Sequence, residues 1–485
     1  MPGLNEKILL LNVFIAGFAV MSLEILAIRV LANFFGYSVF VWGTAIGVIL
    51  LALTVGYYAG GIIADKVKNA AVLYAMIIFS GLYLAAFLFF YQGAINNLSA
   101  ELSLINSVLI SSLLVLFIPS LLLSTASPIA TKLLLREKNQ GKTIGFVYAL
   151  SNTGSIIGTF STTFFLVTSL GVRNSIALNV FLCVFSPLLG LVYEKRKYLV
   201  HSVVFLLVVS SFIVLLVPEK SSYSIYRKES VYNTIEIKKF GSTEWLVLNS
   251  HPMSYYENEP KLETYFYDAV AAVPCIKNTE RFLDLGLAGA TVERKMQKFC
   301  KVASLDGVEL DPEVIEASDK FFDIRKIENL NIFADDARNF IRHCSKKYSV
   351  IFNNTINAKF VPFHLTTKEF FSEVGSCLEE DGLFINYSFY GKDKTLFKDS
   401  LARTMKEAFP VVSEVDFEPQ GVALLFAFKS QNSYDDFLAG INYSDFNNED
   451  LKYIFSTIKK ADSEKGFLIT DDKNPVDNIA LLELI

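Results

Sequence analysis

Four short stretches in the second half of this 485-residue chain carry side chains with chemistry to offer. The first is Asp284-Leu285-Gly286-Leu287-Ala288-Gly289-Ala290, where Gly286 and Gly289 allow close backbone approach to a ligand as a strand gives way to a helix. The second is Glu309, which follows the glycines by about 20 residues, the spacing at which an acid suits the two hydroxyls of a ribose. The third is Asp336, whose carboxylate is placed to accept from an adenine amino group. The fourth is Asn353-Asn354, a pair of amides at a strand end. Together they point to nucleoside binding. Each feature also has a plainer explanation. Tight strand-to-helix packing accounts for the glycines, and a helix N-cap or first-turn charge accounts for the acids, Asp311 before Pro312 above all.

Those residues need elements to hold them. From Arg281 onward apolar strands at 281–286, 302–310, 330–334, 349–353 and 383–387 alternate with helical segments near 290–299, 312–322, 337–346, 367–379 and 394–408. That rhythm predicts a parallel sheet covered on both faces, with a ligand crevice outside the carboxyl ends of the strands. Two more strands, 411–417 and 422–428, predict an antiparallel addition at the edge. Alternation in 232–239 and 244–249 around Gly241-Ser242-Thr243 predicts a β-hairpin.

The first half is of another kind. Residues 1–218 hold twelve basic and six acidic side chains, and the rest hold thirty-two and forty-three. A bilayer span needs about 20 mostly apolar residues, and seven stretches qualify, near 8–31, 37–64, 70–91, 103–131, 143–169, 173–193 and 198–217. The first is too long, and too soon followed by others, for a cleaved signal peptide. The reading is a polytopic helical membrane domain (1–218), a small β-hairpin subdomain (219–260) and a Rossmann-like α/β domain (261–485). Gly43 and Gly47, Gly56 and Gly60, and Gly154 and Gly158 have the spacing that lets helices pack closely. Glu24 and Arg29 in the first span, and Asn152, Thr153 and Ser155 in the fifth, are its polar side chains, for interhelical bonding or for a transport path. Lys7, Lys66, Lys68, Lys132, Arg136, Lys138, Lys142 and Lys195-Arg196-Lys197 fall on one side of seven spans. The N-terminus is then cytoplasmic and the second half lies outside, as an integral protein of the plasma membrane. The acidic second half argues against nucleic-acid binding. Five scattered cysteines and four histidines lack metal-ligand spacing and demand no disulfide framework.

The second half resembles spermidine synthase (aminopropyltransferase), a relative of the class I methyltransferases. The matching residues are Glu229-Ser230-x-Tyr232, Val308-Glu309-Leu310-Asp311-Pro312 followed by Phe321-Phe322, Asp336-Ala337-Arg338-Asn339-Phe340, and Pro362-x-x-Leu365-x-Thr367-x-Glu369-Phe370-Phe371. Thr470-Asp471-Asp472-Lys473-Asn474-Pro475, Glu24…Arg29 and Tyr148-Ala149-x-Ser151-Asn152-Thr153-Gly154 are similar to segments of membrane-fused members. The resemblance implies an adenosyl ligand, decarboxylated S-adenosylmethionine or S-adenosylmethionine, with Glu309 on the ribose and Asp336 at the adenine. It also implies a small-molecule amine as acceptor and a homodimer through the hairpin region, while the cysteine and histidine spacing implies no metal.

Departures from that family are pointed. Its glycine loop G-G-G-D-G-G stands here as 285–290, so its aspartate is Ala288. Its D-S-x-D-P is Asn354-Thr355-Ile356-Asn357-Ala358, its L-D-G-x-x-Q is Leu248 to Met253, and its Y-H-E is Phe266-Tyr267-Asp268. Aminopropyl transfer needs an unprotonated amine, and a diamine titrates near pH 10.4, so a carboxylate must hold one ammonium and help deprotonate the other. Asparagine is no general base. Losing a charge-assisted contact to a buried ammonium costs about 1.5–3 kcal/mol per hydrogen bond. Asn354, Asn357, Tyr267, Asp268 and His251 then line the acceptor side, with Asp268 as the replacement acid, and ordinary putrescine transfer is not expected. The expectation is a transferase acting on an unidentified acceptor. The alternatives are a non-catalytic polyamine or nucleoside sensor and a regulated transporter.

Overall fold

Apolar segments with few charges satisfy their backbone N–H and C=O groups within themselves, and so fold as helices. The computed structural model describes residues 4–36, 38–135, 139–193, 223–262, 265–300, 302–356, 361–391, 394–418, 420–443, 449–476 and 479. The chain divides into two compact units, Met1–Ser221 with Lys228–Val231 and Ser222–Arg227 with Tyr232–Ile485.

Among the described residues, the first unit has five helical runs long and apolar enough to cross a membrane. They are α1 (Leu4–Phe35), α2 (Val39–Lys66), α3 (Ala71–Glu101), α4 (Leu104–Leu134) and α5 (Gln140–Tyr193). The expected spans 143–169 and 173–193 are two helices that meet at Gly171 and together make up α5. A straight helix of that length would reach about 80 Å, far beyond a bilayer, and Gly171 breaks it with φ +79°. The expected span 198–217 lies outside the described residues.

Close packing explains two of the three glycine pairs. A methyl at Gly154 would stand 2.1 Å from the Phe14 carbonyl oxygen, and one at Gly158 2.3 Å from that of Phe18. Gly56 and Gly60 press on Ser124 and Thr125 of α4 in the same way. Gly43 and Gly47 do not pack: a methyl at either meets nothing within 4 Å. The polar stripe expected on α5 also divides. Ser155 donates to the Gly17 carbonyl at 3.2 Å, whereas Asn152 and Thr153 are exposed. Side-chain bonds between helices are made instead by Thr162 and Asn179 to Ser22 (2.8 and 2.9 Å) and by Ser186 to Asn12 (2.9 Å). Glu24 and Arg29 are both partly buried on α1, and a five-residue separation sets them on different faces of it.

The second unit begins with β1 (Ser224–Glu229), β2 (Thr234–Phe240), β3 (Thr243–Leu248) and β4 (His251–Tyr256), paired in that order. The hairpin at Gly241 is β2 with β3, antiparallel. An eight-stranded sheet follows, in the order β12-β10-β11-β9-β8-β5-β6-β7. Its strands β5 (Arg281–Leu285), β6 (Ser304–Glu309), β7 (Leu330–Ala334), β8 (Tyr348–Asn353) and β9 (Leu378–Phe389) are parallel. The hairpin β10 (Val411–Phe417) and β11 (Val422–Phe428) is antiparallel, and β12 (Lys459–Lys460) edges it.

Side chains alternate across the sheet. Phe282 joins a core with α6 (Phe266–Ile276), α7 (Thr291–Phe299) and α8 (Pro312–Phe322). Leu283 and Leu285 join another with α9 (Ala337–Arg342), α10 (Lys368–Cys377) and α11 (Leu396–Met405). Two further helices, α12 (Gln431–Tyr443) and α13 (Glu449–Ser456), cover the first of these faces. The chain winds outward from β5 through β6 to β7, then returns to β8 on the other side. That reversal opens a crevice at the carboxyl ends of β5 and β8.

Two disulfides stand where the cysteine spacing demanded none. Cys275–Cys300 joins the last turn of α6 to the end of α7, and Cys344–Cys377 joins the end of α9 to that of α10. The partners lie 25 and 33 residues apart, separations that are meaningful only once two helices share a face of the sheet.

Candidate functional site

The parallel strands bring Asp284, Glu309 and Asp336 to their carboxyl ends, along one edge of the sheet. Gly286 follows β5 with φ +101°, a conformation that favours glycine. A methyl there would stand 3.0 Å from the Asn354 carbonyl, so the turn runs tightly past the end of β8. The N–H groups of Gly286 and Leu287 donate to the Val308 carbonyl at 2.9 and 3.0 Å, tying the turn to β6, and the Gly289 N–H donates to Ser254 Oγ at 3.0 Å. Ala288 and Ala290 sit in the left-handed region, φ +47° and +53°, at a cost of about 1–2 kcal/mol each. Such strain persists where the surroundings impose it, typically at functional sites.

Glu309 closes β6 beneath that turn. It is 8% exposed, and its oxygens accept the Ala288 N–H at 3.0 Å and the Asp311 N–H at 3.1 Å. Burial pushes its carboxyl up to about 7, against the pull of those N–H groups. Each oxygen keeps a lone pair for a further donor. Asp311 caps α8 through the Glu313 N–H at 3.1 Å and accepts the Asn233 amide at 2.9 Å. Asp336 caps α9, taking the N–H groups of Arg338 and Asn339 at 3.0 Å each. His364 Nε2 stands 3.0 Å from its other oxygen and holds the carboxyl below the usual range.

The acceptor-side residues are placed less evenly. Asn354 follows β8, its N–H donating to the Leu285 carbonyl at 2.8 Å. The Tyr267 hydroxyl donates to the Met253 carbonyl and lies within hydrogen-bonding reach of the Asn354 side chain. Burial raises Tyr267 well above the ordinary tyrosine range, so it stays protonated. Asp268 is fully buried. Its Oδ1 meets the Lys295 ammonium at 2.5 Å and its Oδ2 accepts the Tyr265 N–H at 3.1 Å. The ion pair and the cap of α6 occupy both oxygens, which is not the situation of a free base. Asn357 lies outside the described residues. Among the described residues no three His, Cys, Asp or Glu side chains gather as metal ligands.

Sequence reasoning missed Glu293, Lys295 and Ser254. Glu293 and Lys295 look like ordinary charges of a surface helix, Glu293 in a first turn where acids are common. What marks them is burial, 1% and 2% exposed, and the sequence signal for it is weak: Val292 and Met296 frame the same face of α7.

A family model described as the spermine/spermidine synthase domain matches residues 273–420, a stretch that includes the glycine turn, Glu309, Asp336 and Asn354. The C-terminal half carries a spermine/spermidine synthase domain. Polyamine aminopropyltransferase 2 of Aquifex aeolicus is 25% identical over 422 residues, covering 82% of each chain, so the likeness extends into the helical half. A probable polyamine aminopropyl transferase of Bifidobacterium longum is 23% identical over 279 residues, 53% of this chain and 62% of the relative. The polyamine aminopropyltransferase of Vibrio vulnificus is 29% identical over 113 residues, 23% of this chain and 38% of the relative. Thus the chain spans less than two thirds of the length of these last two. Among solved structures, spermidine synthase from Thermotoga maritima is 21% identical with a TM-score of 0.42, covering 49% of this chain and 85% of that one. Human methyltransferase-like protein 13 in complex with SAH is 18% identical, with a TM-score of 0.33 over 42% and 97%. In the synthase domain of this chain the turn position 288 is alanine and the residue after β8 is asparagine, both uncharged.

Proposed function

We propose that the synthase domain binds an adenosyl sulfonium, decarboxylated S-adenosylmethionine or S-adenosylmethionine, in the crevice between the ends of β5 and β8. Group transfer from it goes to an acceptor that arrives as a ready nucleophile, not to a diamine dication. The supporting observation is the contrast within one crevice. Glu309 keeps a buried carboxyl with acceptor capacity beneath the glycine turn, while the neighbouring strand end offers an amide beside a protonated phenol. Ribose hydroxyls suit the first. The second cannot take a proton from an ammonium that titrates near pH 10.4.

Incubating the purified full-length chain with decarboxylated S-adenosylmethionine and putrescine, with products read by mass spectrometry, tests this. The expected result is spermidine at or below the uncatalysed background, with turnover gained on Asn354→Asp combined with Asn357→Asp. Spermidine formed efficiently by the unaltered chain contradicts it. A second reading, a sensor that binds without turnover, is favoured by Asp268, the expected replacement acid, being engaged by Lys295.

The helical half anchors the protein in a bilayer, with the N-terminus cytoplasmic by its basic helix ends. On the reading of seven spans the synthase domain lies outside. Two disulfides, Cys275–Cys300 and Cys344–Cys377, support that side, because such bonds persist in oxidising compartments.

A further inference from the structure

One segment singled out in the sequence has no part in the proposed chemistry, Thr470-Asp471-Asp472-Lys473-Asn474-Pro475. Ile469 and Val476, both 0% exposed, peg it into the core shared by α9, α10 and α11. Between the pegs, mutual backbone bonds of Thr470 and Lys473 at 3.1 and 3.2 Å close a turn. The segment straps down the start of α10 and the residues before it. The Lys368 N–H donates to the Ile469 carbonyl at 2.9 Å, the Asp471 N–H to Glu369 Oε2 at 2.9 Å and the Asn474 amide to the Phe363 carbonyl at 2.7 Å.

Arg338 of α9 ties this strap to the carboxyl edge of the sheet. It is 6% exposed, and all five of its guanidinium N–H groups are used. Nη1 and Nη2 meet the two carboxylate oxygens of Asp471 at 2.7 Å each, Nε and Nη2 meet those of Glu373 at 2.9 and 3.1 Å, and Nη1 reaches the His364 carbonyl at 3.2 Å. Both arms of the linkage arrive at Asp336. The Arg338 backbone N–H holds Asp336 Oδ1 at 3.0 Å. His364 Nε2, 3.0 Å from Oδ2, donates to it in the tautomer that a carboxylate partner selects. Paired forks of this kind add direction to attraction, so the docked strap fixes how the Asp336 carboxylate is turned. The Asp335 N–H donates to the Glu309 carbonyl at 3.1 Å, which sets Asp336 next to the acid that suits a ribose.

We infer that the strap at Ile469–Val476 is the positioning element for base selection: Asp471 clamps Arg338, and Arg338 with His364 aims Asp336 at the 6-amino group of a purine. The inference rests on the adenosyl reading above and deepens it by assigning the choice of base to residues that do not touch the ligand. A carboxylate accepts hydrogen bonds and donates none. A 6-amino purine therefore pairs with it, whereas a 6-oxo purine sets one acceptor against another. The coupling is reciprocal: the docked strap favours the amino base, and the bound base favours the docked strap by the same factor.

Isothermal titration of the full-length chain in detergent tests this with methylthioadenosine and methylthioinosine, which present an amino and an oxo group at position 6. The unaltered chain is expected to prefer methylthioadenosine at least about tenfold. In Asp471→Asn, which breaks the paired fork, the preference is expected to shrink to about threefold or less. His364→Leu, at a side chain one third exposed, is expected to do the same without touching the Arg338 ion pairs. His364→Gln, whose amide can still donate to Asp336, is expected to keep the preference. A merely structural strap would weaken both nucleosides alike, and that outcome in Asp471→Asn overturns the positioning. So does a preference that survives either Asp471→Asn or His364→Leu, one that is lost in His364→Gln, or equal affinity of the unaltered chain for the two nucleosides. Binding of neither nucleoside to the unaltered chain overturns the adenosyl reading itself, and the positioning with it.

Discussion

At Glu309 burial and two backbone donors pull in opposite directions, and burial wins: the carboxyl is pushed up from 4.5 to about 7. Between those values the folded chain holds a proton that the unfolded chain releases. The stability this group contributes is therefore complete below about pH 4.5 and lost as pH rises through about 7. A ribose donates to the ionised form, so affinity for an adenosyl ligand should rise between pH 6 and pH 8; a dissociation constant that stays flat across that range counts against the ribose contact. Asp268 is governed by its partner. Lys295→Met leaves its carboxylate buried and uncompensated, at a cost of about 3–5 kcal/mol. Denaturation of a Trp42→Phe chain, followed through Trp245, measures that loss, and a change under 1 kcal/mol would show the pair to be incidental. Glu309, Asp336 and Asn354 were legible in the sequence as candidates, because strand ends and helix starts are; Asp268 was picked out only through the family resemblance, since α6 was not expected. Their partners were not. Lys295 reaches Asp268 across 27 positions and His364 reaches Asp336 across 28, contacts that no local pattern announces.

Among the elements, the short apolar strands of the sheet read easily. Residues 330–334, 411–417 and 422–428 are strands over the expected ranges, because each is bounded by turn or helix signals and buried residues dominate the last two. β4 and α6 escaped notice for a physical reason: Pro252 lies within β4 and Pro274 within α6, and proline argues against either element from the sequence alone. Pro274 sits in the last turn of α6, and β4 is the outer strand of its sheet, where proline is tolerated. The glycine turn shows how one element depends on another. Gly286→Ala forces a β-carbon into a left-handed residue and against the end of β8, and about 1–3 kcal/mol of stability should be lost. Because the same turn forms the roof over Glu309, adenosyl binding should weaken with it. Unchanged thermal unfolding and unchanged binding in Gly286→Ala would show the turn to be pliable.

On the scale of the whole chain, the split in charge between residues 1–218 and the rest was visible at once, since lipid excludes charge and a soluble acidic domain needs it. The number of spans was harder to read: 143–169 and 173–193 are two segments by hydrophobicity and two helices meeting at Gly171 in the structure, while 198–217 lies outside the described residues. The disulfides were hidden by the sheet's winding. If both persist on the outer side of the membrane, maleimide applied to intact cells should modify none of Cys275, Cys300, Cys344 and Cys377 before reduction and all four after it. Modification before reduction, or a reporter fused after Ile485 that reads cytoplasmic, contradicts that orientation. The nucleoside crevice itself is tested most directly by one titration, methylthioadenosine into the purified full-length protein, with Glu309→Ala alongside. Saturable binding at one molecule per crevice, weakened at least about tenfold by the substitution, is the expected result. No saturable binding, or equal affinity in both chains, would mean that Glu309 and the glycine turn serve only to hold the sheet together.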